Sequence, residues 1–470
     1  MTVRKNLKPG TAPRRGLRTS LAAELRERIA AGALIAGQAL PSVRRLARER
    51  GISAFTAAEV YNLLVAAGLI EARRGRGYFV AGAQPSPVRT PGGGAAADAL
   101  WERRLEACAR PIVVDAGGGW LPAGWQYAEG IRRALRARAR APLPAHGYGS
   151  PFGLEELRAR FALQLRGRGV GIAEQQILLT HGASQALDLI VRSLLEPGDT
   201  VAVEDPGYPP TLELLRARGV RLLAIPRLAV GPDADVLAVK LRRRRVRALI
   251  TNTTLHNPTG TSTELPVAHR LLELAERHGL LIIEDDIFAE LAPVPPLPLA
   301  ALDQCRRVVH VGSVSKTIAP SLRVGFLAAP ADLVPRLARA KVLSALASSE
   351  IAEQLVLNVL TQPHYRRHLE TLRRRLAASQ VRVQETLLRR GVELPFRPAA
   401  GMFLWGRLPF RESVSQVWRA AAAAGVLLAP GELFRADGRA TPWWRFNVAH
   451  CDGDPLAAFL TAPRGGGTSR

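Results

Sequence analysis

The chain has 470 residues, 47% of them hydrophobic, and carries 65 Lys and Arg against 40 Asp and Glu, a formal net charge of +25. This length allows two or three domains, and no apolar run approaches the roughly 20 residues needed to cross a bilayer, so we expect no membrane-spanning segment. The three cysteines, Cys108, Cys305 and Cys451, are far apart and match neither a disulfide framework nor a metal motif, and no apolar signal core follows the basic N-terminus. We therefore expect a cytoplasmic protein without a metal site.

The positive charge is concentrated near the N-terminus. Residues 1–82 contain 15 Lys and Arg but 5 Asp and Glu, about three times the net charge per residue of the remaining chain. A general arginine bias explains why the whole chain is basic, but it does not explain this gradient. A polyanionic partner for the N-terminal part would explain it.

A stretch rich in Pro, Gly and Ala, AGAQPSPVRTPGGGAAADA, divides the chain at residues 81–99. It has no apolar period and is typical of a linker. We therefore predict an N-terminal domain over residues 15–82, a linker over 83–106 and a large domain over 107–465.

The N-terminal domain is predicted to contain two short helices and a hairpin. LPSVRRLARERG holds the first helix, with Ser42 as N-cap and Gly51 as its stop, and Ser53 can cap the second, in ISAFTAAEVYNLLVAAGLI. The apolar stripe expected on the second helix, spaced i, i+3, i+4, i+7, is Val60, Leu63, Leu64 and Ala67. The tight GIS turn between the helices predicts a helix-turn-helix, and LIEARRGRGYFVAG predicts a closing hairpin with arginines at its tip.

This order of parts predicts a winged helix, whose second helix enters the DNA major groove while the hairpin arginines meet phosphate or the minor groove. With LPSVRRLA, GIS followed by T, and GRGYFV in this order, residues 15–82 closely resemble the winged-helix domain of the GntR family of bacterial regulators. The DNA contacts that the resemblance implies are Ser42, Arg44, Ser53, Thr56, Arg76 and Gly77. One position departs, because Ala54 and Phe55 follow Ser53 where family members usually place an arginine or another polar residue. The usual base contacts at the helix start are therefore not expected here.

In the large domain, short apolar runs such as TVAVED and GLLIIEDD alternate with helical patterns, which predicts a parallel α/β sheet. Within it, VGSVSKTIAPSLRVGF contains Lys316, one of only five lysines in this arginine-rich chain. An amine condenses with an aldehyde whereas a guanidinium in practice does not, and burial can lower the pKa of a lysine. A single lysine is most often a surface residue, so its neighbours must decide its role.

Pyridoxal phosphate needs such a lysine, together with phosphate ligands, a carboxylate for its pyridine nitrogen, a flat partner for its ring and donors for its 3-oxygen. The chain offers each of these in order. The candidates are Ala183 and Ser184 in LLTHGASQALDL, Tyr208 in VEDPGYPP, Asn257 in LHNPTG, Asp285 in LLIIEDDIFAEL, then Ser313, Ser315, Lys316 and Arg323, and finally Arg445 in WWRFNVAH. Each alone has an ordinary explanation as a cap, a turn or a salt bridge, but the whole set in one order is hard to assign to chance.

The set resembles the fold type I aminotransferases over roughly residues 110–462. The resemblance implies that Lys316 is the Schiff-base lysine and Asp285 the partner of the pyridine nitrogen, so these two are the catalytic candidates. It makes Tyr208 the stacking ring, Asn257 the donor to the 3-oxygen and Arg445 the clamp for an effector carboxylate. The remaining cofactor-binding candidates, among them the phosphate ligands, are Ala183, Ser184, Ser313, Ser315 and Arg323.

Two further features follow from this resemblance. HGYGSPFGLEELR looks like the family segment in which Tyr148 reaches the phosphate of the neighbouring subunit, which implies a homodimer with shared sites. Phe288 stands where the family usually has a tyrosine, three residues after the aspartate, so one hydrogen bond to the cofactor oxygen is expected to be absent. Loss of that donor would raise the pKa of the internal aldimine. The implied fold is an N-terminal winged helix-turn-helix plus an aminotransferase-like domain with a mostly parallel central sheet and a smaller C-terminal α+β subdomain.

A GntR-like winged helix linked to such a domain resembles the MocR-type regulators over nearly the whole chain. This implies a pyridoxal 5'-phosphate-dependent transcription factor that senses an amine or amino acid by aldimine exchange at Lys316 and then repositions its winged helices on operator DNA. Whether transamination also occurs stays open. One alternative is an active aminotransferase with an accessory or autoregulatory DNA-binding module, against which Phe288 argues mildly. Another is a DNA-binding protein whose large domain serves only as a dimerisation scaffold, against which Lys316, Asp285 and Arg323 argue.

Overall fold

The computed structural model describes residues 21–26, 28–29, 33–34, 37–73, 76–81, 113–140, 147–451 and 454–461. The chain divides into two compact units, residues 1–91 and 92–470. The predicted linker, residues 83–106, lies outside the described residues. Within the described part of the chain, no helix has the length and apolar character to cross a membrane, and no group of His, Cys, Asp and Glu has a metal-binding arrangement.

The N-terminal unit contains the predicted helix-turn-helix and hairpin. Residues 21–26 and 28–29 are helical, and the elements after them are α1 (Val43–Arg50), α2 (Ala54–Ala66), β1 (Ile70–Arg73) and β2 (Gly77–Val80). Ser42 caps α1 by accepting a hydrogen bond from the Arg45 N–H at 3.3 Å, and Gly51 ends it in the left-handed region at φ 59°. Ser53 caps α2 by accepting from the Thr56 N–H at 3.1 Å. The predicted caps and stop are therefore present.

The buried stripe of α2 differs from the predicted one. The residues that this helix buries are Ala57, Val60, Tyr61 and Leu64. Leu63 is 42% exposed and Ala67 is exposed, so half of the predicted stripe is wrong. The reason is Tyr61, whose ring is buried while its hydroxyl donates to the Pro41 carbonyl at 2.6 Å, so that a polar side chain takes a core position.

The hairpin formed by β1 and β2 is antiparallel, with Arg73 opposite Gly77 at its end. Gly77 has φ 97°, a conformation that favours glycine. Arg73 pairs with Glu71 at 2.5 Å and lies over the Phe79 ring, which holds its side chain against the hairpin. Arg74 and Gly75, at the predicted tip, lie outside the described residues.

The large unit is built on an eight-stranded sheet of order β3-β10-β9-β8-β7-β4-β5-β6. Its strands are β3 (Ile177–Thr180), β4 (Thr200–Asp205), β5 (Arg221–Leu228), β6 (Gly231–Pro232), β7 (Ala248–Thr251), β8 (Leu281–Asp285), β9 (Val308–Ser313) and β10 (Gly325–Ala328). The pairs from β5 through β4, β7 and β8 to β9 are parallel, whereas β10 is antiparallel to β9 and β3, and β6 to β5. A second, antiparallel sheet has the order β11-β13-β12, formed by β11 (Phe403–Arg407), β12 (Ala429–Pro430) and β13 (Trp443–Asn447).

Helices cover both faces of the central sheet, because its strands bury side chains on both sides. Leu249 and Ile282 belong to the core on one face, and their chain neighbours Ile250 and Ile283 to the core on the other. The helices are α3 (Ala128–Ala139), α4 (Glu155–Arg166), α5 (Gly182–Leu194), α6 (Pro209–Arg218), α7 (Ala234–Arg243), α8 (Leu265–His278), α9 (Leu299–Asp303), α10 (Val334–Ala345), α11 (Glu350–Thr361), α12 (His364–Arg389), α13 (Val414–Ala423) and α14 (Asp454–Thr461). Short 3-10 turns occur at Ala123–Trp125, Glu174–Gln176, Ala289–Leu291, Pro320–Leu322 and Gly431–Phe434.

The long helix α12 joins the two cores of this unit. Tyr365 and Leu369 pack in the core of the central sheet, and Leu372 and Leu376, one and two turns later, pack in the core of the C-terminal sheet. The result is a mostly parallel α/β domain with a smaller C-terminal α+β subdomain, which confirms the predicted fold class.

Candidate cofactor site and DNA-binding surface

Several predicted site residues meet because parallel strands end at the same edge of the sheet. Tyr208 follows the end of β4, Asn257 follows β7, Asp285 is the last residue of β8, and Ser313 is the last residue of β9. Lys316 lies in the loop after β9. The order in which these residues occur along the chain thus becomes an arrangement around one edge of the central sheet.

Lys316 is a buried lysine with an arginine nearby, and both features favour a neutral amine. Its Nζ donates to the Gly119 carbonyl at 2.6 Å and lies 5.9 Å from the centre of the Phe288 ring. Burial, followed by the positive charge of Arg445, lowers the pKa of Lys316 from 10.5 to about 8, although Asp285 opposes the shift. At pH 7 about a tenth of the amine is therefore unprotonated, a state that an arginine does not reach.

Asp285 is a buried carboxylate with little support for its charge. Its Oδ1 accepts one long hydrogen bond, 3.4 Å, from the Ile287 N–H. Burial raises the pKa of Asp285 to about 7, because that hydrogen bond and the charge of Lys316 offset only part of the cost of desolvation. A cation placed against this carboxylate would stabilise its ionised form.

This raised pKa predicts a pH-dependent stability of the cofactor-free protein. The folded chain keeps the Asp285 proton up to about pH 7, whereas the unfolded chain loses it near its ordinary value of 3.8, so the free energy of unfolding falls as pH rises through this window. Between pH 5 and pH 7 the loss amounts to about 2–3 kcal/mol. We expect Asp285→Asn to remove it in urea unfolding at pH 5 and pH 8, and the exposed Asp332→Asn to keep it. The same pH dependence in both variants would contradict this assignment.

Arg445, on β13, is held in one orientation. Its Nη1 donates to Asn257 Oδ1 at 2.8 Å and its Nη2 to the Gly117 carbonyl at 2.5 Å. Its guanidinium lies 4.6 Å from the centre of the Phe403 ring and 5.0 Å from that of Phe434. Because Asn257 presents its oxygen to the guanidinium, the NH₂ end of the same amide is the end left to act as a donor.

The strand-to-helix turn after β3 carries the predicted phosphate ligands. Ala183 and Ser184 lie in the first turn of α5, where backbone N–H groups and the helix dipole favour an anion. Arg323 donates through Nη2 to the His181 carbonyl at 2.9 Å, at the start of the same helix. Gly182 has φ 74°, and a Cβ there would come within 2.7 Å of Arg323 Nη2, so the close approach of the guanidinium requires a glycine.

Ser313, at the end of β9, and Ser315 lie together, with their hydroxyl oxygens 2.9 Å apart. Tyr208 immediately precedes α6 and lines a cavity with Asn252 and Asp285. Tyr148, in contrast, is not enclosed by these residues, because its side chain is 79% exposed.

Phe288 occupies the position where the sequence departs from the aminotransferase pattern. It is buried, its ring faces Lys316 Nζ as described above, and it packs edge-on against Phe403 with ring centres 5.6 Å apart. The ring thus fills its place in the core, but it brings no hydroxyl to the site.

A glycine-rich segment, Gly117 to Gly119, was missed by the sequence reasoning although GGGW is conspicuous in the sequence. Its carbonyls accept from Arg445 and Lys316 and, at Gly118, from Asn447 Nδ2 at 3.0 Å. A Cβ at Gly117 would come within 2.4 Å of backbone atoms of β12, so the segment approaches closely because it lacks side chains.

A buried polar network behind the site was also missed. Glu204 on β4 pairs with Arg227 at 2.5 Å and accepts from the Asn252 N–H at 2.9 Å. Burial opposes its ionisation, but His256, Arg227 and that N–H outweigh burial and hold the pKa of Glu204 at about 2. Asn252 in turn donates to the Asp285 carbonyl at 2.7 Å and accepts from the Asn257 N–H at 2.8 Å. Asn252 therefore positions two of the predicted cofactor residues, Asp285 and Asn257. The sequence signal for the network was Glu204, a charged residue inside an apolar strand.

In the N-terminal unit, the predicted DNA contacts lie at the helix starts and on the hairpin. Ser42 and Ser53 act as helix caps, and the Thr56 hydroxyl lies 2.8 Å from that of Ser53. Arg44, Arg76 and Gly77 are exposed. At the start of α2, the aromatic side chain of Phe55 is 77% exposed.

Comparison with known proteins places both units in families. Residues 126–462 match the aminotransferase class I and II family, and residues 17–80 match the gntR family of bacterial regulatory proteins. The chain is 30% identical over 425 residues to a Rhizobium meliloti protein named "Probable rhizopine catabolism regulatory protein MocR", covering 87% of this chain and 85% of that protein. It is 32% identical over 368 residues to the 2-aminoadipate transaminase of Thermus thermophilus, covering 75% of this chain and 89% of that enzyme.

Solved structures agree with this assignment. The kynurenine aminotransferase of Pyrococcus horikoshii, in complex with PMP, superposes with a TM-score of 0.71 at 27% identity, covering 77% of this chain and 94% of that one. LysN of Thermus thermophilus, complexed with N-(5'-phosphopyridoxyl)-L-leucine, superposes with a TM-score of 0.69 at 29% identity, covering 78% of this chain and 95% of that one. The aminotransferase class I/II domain is one whose members bind pyridoxal phosphate. The chain therefore belongs to the MocR-type regulators, in which a GntR helix-turn-helix domain is fused to such a domain.

Proposed function

We propose that this protein is a cytoplasmic transcriptional regulator that binds operator DNA and senses an amine or amino acid at Lys316. The observation that carries the proposal is that one chain combines a winged helix-turn-helix with a site where a lysine of lowered pKa and a buried aspartate lie beside a buried arginine. A DNA-binding module alone would not need this arrangement. An enzyme alone would not need the winged helix.

Two structural observations support the assignment of these residues to pyridoxal phosphate. Gly182 leaves room for the Arg323 guanidinium at the start of α5, where a phosphate would find a cation, a hydroxyl and helix N–H groups. Asp285 is a carboxylate whose pKa is raised by burial, and a protonated pyridine nitrogen against it would stabilise its charge. When bound, the cofactor supplies an aldehyde that accepts amines and a ring that accepts electrons.

The residues of the chain have distinct roles in this proposal. Lys316 would hold the cofactor's aldehyde, and its lowered pKa keeps part of its amine unprotonated near neutral pH, as exchange with an effector amine requires. Asp285 would hold the proton on the ring nitrogen, and the NH₂ of Asn257 would be available to the 3-oxygen. Arg445, oriented by Asn257 and the two phenylalanine rings, binds the carboxylate of an amino-acid effector. Tyr208, which lines a cavity with Asp285, would supply the flat partner for the ring.

The coupling to DNA requires that the effector bind the DNA-competent and DNA-incompetent states with different affinities. A homodimer with shared sites fits this requirement, because a change at each site then acts on both DNA-binding domains. The exposure of Tyr148 in the single chain supports the proposal that its hydroxyl reaches the cofactor phosphate of the partner subunit.

An aminotransferase with an accessory DNA-binding module is the second candidate. It is favoured by the 32% identity to the Thermus thermophilus transaminase and by the retention of Lys316, Asp285 and Arg445. The absence of a hydroxyl at Phe288 argues for the regulator, because one donor to the cofactor oxygen is lost.

A screen of amines and amino acids tests the proposal. Each compound is added to the cofactor-loaded full chain, changes in the cofactor absorbance band are recorded, and DNA binding is measured with every compound that changes it. The regulator proposal predicts that at least one such compound changes DNA affinity. Sustained keto-acid production without any change in DNA affinity would favour the enzyme.

The winged helix yields a prediction about phosphate contacts. We expect Arg44→Ala and Arg76→Ala each to weaken binding to all sequences alike and to lower the slope of log affinity against log salt by about one. Arg45→Ala is the matched control, since Arg45 is paired with Glu49 along its own helix at 2.7 Å. Salt slopes of Arg44→Ala and Arg76→Ala equal to that of the wild type, in a titration of duplex DNA, would show that Arg44 and Arg76 do not touch phosphate.

A further inference from the structure

Phe55 is an exposed aromatic residue for which the packing of its own domain gives no reason. It is the second residue of α2, its side chain is 77% exposed, and it is not part of the apolar core of the N-terminal unit. The other exposed large apolar side chains described in this unit, Leu63 and Val65, are 42% and 38% exposed and lie near the far end of the same helix. The start of α2 thus presents an apolar surface.

The polar groups at this helix start are already engaged with one another. The Ser53 hydroxyl accepts from the Thr56 N–H and lies 2.8 Å from the Thr56 hydroxyl. Ala54, beside Phe55, is exposed and carries only a methyl group. Ala54 and Phe55 therefore present carbon, not hydrogen-bonding groups, to whatever approaches this side of the helix start.

The surroundings favour DNA over an apolar protein surface as the partner. Exposed arginines lie on the preceding helix, at Arg44 and Arg48, and on the hairpin at Arg76. In a helix-turn-helix, the N-terminal residues of the second helix face the base edges of the major groove while basic residues hold the backbone. The apolar feature in that groove is the 5-methyl group of thymine.

We propose that Phe55 reads the 5-methyl group of a thymine in each operator half-site. The proposal rests on the proposed function, because it requires that the winged helix bind DNA. It assigns base recognition at the start of α2 to an apolar contact, in place of the polar readout usual in the family. Ala54, having a small side chain, allows the ring to approach the base edge.

The test uses thymine and uracil, which differ in this methyl group. Binding sites are selected from a randomised duplex pool with the cofactor-loaded full chain, and each thymine of a selected site is replaced in turn by deoxyuridine. We expect at least one replacement per half-site to weaken wild-type binding by about fourfold, the value of one buried methyl group. In Phe55→Ala the ratio of the affinities for the two duplexes should fall to about one. In the control Leu63→Ala it should stay at about four.

Several outcomes would overturn the inference. Wild-type binding that is insensitive to every thymine-to-uracil replacement contradicts the proposal. This result uses no variant, so a folding defect cannot explain it. A Phe55→Ala protein with a native circular dichroism spectrum that keeps the fourfold ratio also contradicts it. A Phe55→Ala protein with an altered sedimentation coefficient and an unchanged ratio would assign Phe55 to a protein contact instead. Failure to select any site would contradict the proposed function itself, and so would be distinguishable from these results.

Discussion

Lys316→Ala should abolish the covalent link between the protein and its cofactor while leaving DNA binding without effector largely intact. The reason is chemical, since Lys316 supplies the amine that the lowered pKa keeps partly neutral. The purified variant should show no absorbance band near the edge of the visible range that sodium borohydride abolishes. An effector should no longer change its affinity for DNA.

Two variants control this result. Lys316→Arg keeps a cation at the position but cannot form the link, so it should behave like Lys316→Ala and show that the amine, not the charge, is required. Lys341 is also buried, with its Nζ 2.7 Å from the Ser348 hydroxyl, and burial lowers its pKa to about 8 as well. Lys341→Met should keep the band. A borohydride-sensitive band in Lys316→Ala would show that another amine carries the cofactor.

Arg445→Lys should weaken the response to amino acids while leaving the response to amines without a carboxylate nearly unchanged. The guanidinium is buried and held between Phe403 and Phe434, and an ammonium in its place could not offer two parallel donors. Loss of one charged hydrogen bond and weakening of a second should cost about 3 kcal/mol, or roughly 100-fold in the concentration of amino acid that gives a half-maximal spectral change. The amine that lacks only the carboxylate should act on both proteins at nearly the same concentration.

Arg407→Lys is the matched control for this experiment. Arg407 lies on the neighbouring strand β11, where its exposed side chain pairs with Glu393 at 3.4 Å. Arg407→Lys should leave unchanged the half-maximal concentrations of the amino acid and of the amine that lacks the carboxylate. Equal responses of wild type and Arg445→Lys to amino acids would remove Arg445 from the effector site.

The sequence predicted best where a chemical requirement coincided with a strand end. Asp285 was found because a carboxylate closes an apolar run, and the structure ends β8 at this residue. The caps Ser42 and Ser53 were found for a similar reason, since a serine ahead of an apolar period satisfies the first N–H groups of a helix.

What the sequence did not predict depends on contacts between distant segments. Tyr61 is buried in the core of the winged helix while its hydroxyl donates to the Pro41 carbonyl, whereas a count of apolar residues chose Leu63 instead. Asn252 positions Asp285 and the Asn257 backbone through hydrogen bonds that cannot be predicted from residue spacing along the chain. Likewise, the role of the Gly117 to Gly119 segment appears only once Lys316 and Arg445 are seen to donate to its carbonyls.

The central claim is that the state of the cofactor site sets the affinity for DNA. The most direct measurement is the Kd of the cofactor-loaded full chain for a selected duplex, with and without a compound that changes the cofactor absorbance. The account predicts a change of at least about fivefold in the wild-type protein, equivalent to roughly 1 kcal/mol of coupling, and no change in Lys316→Ala. A wild-type Kd that is the same with and without a compound that the protein steadily converts to a keto acid would contradict it.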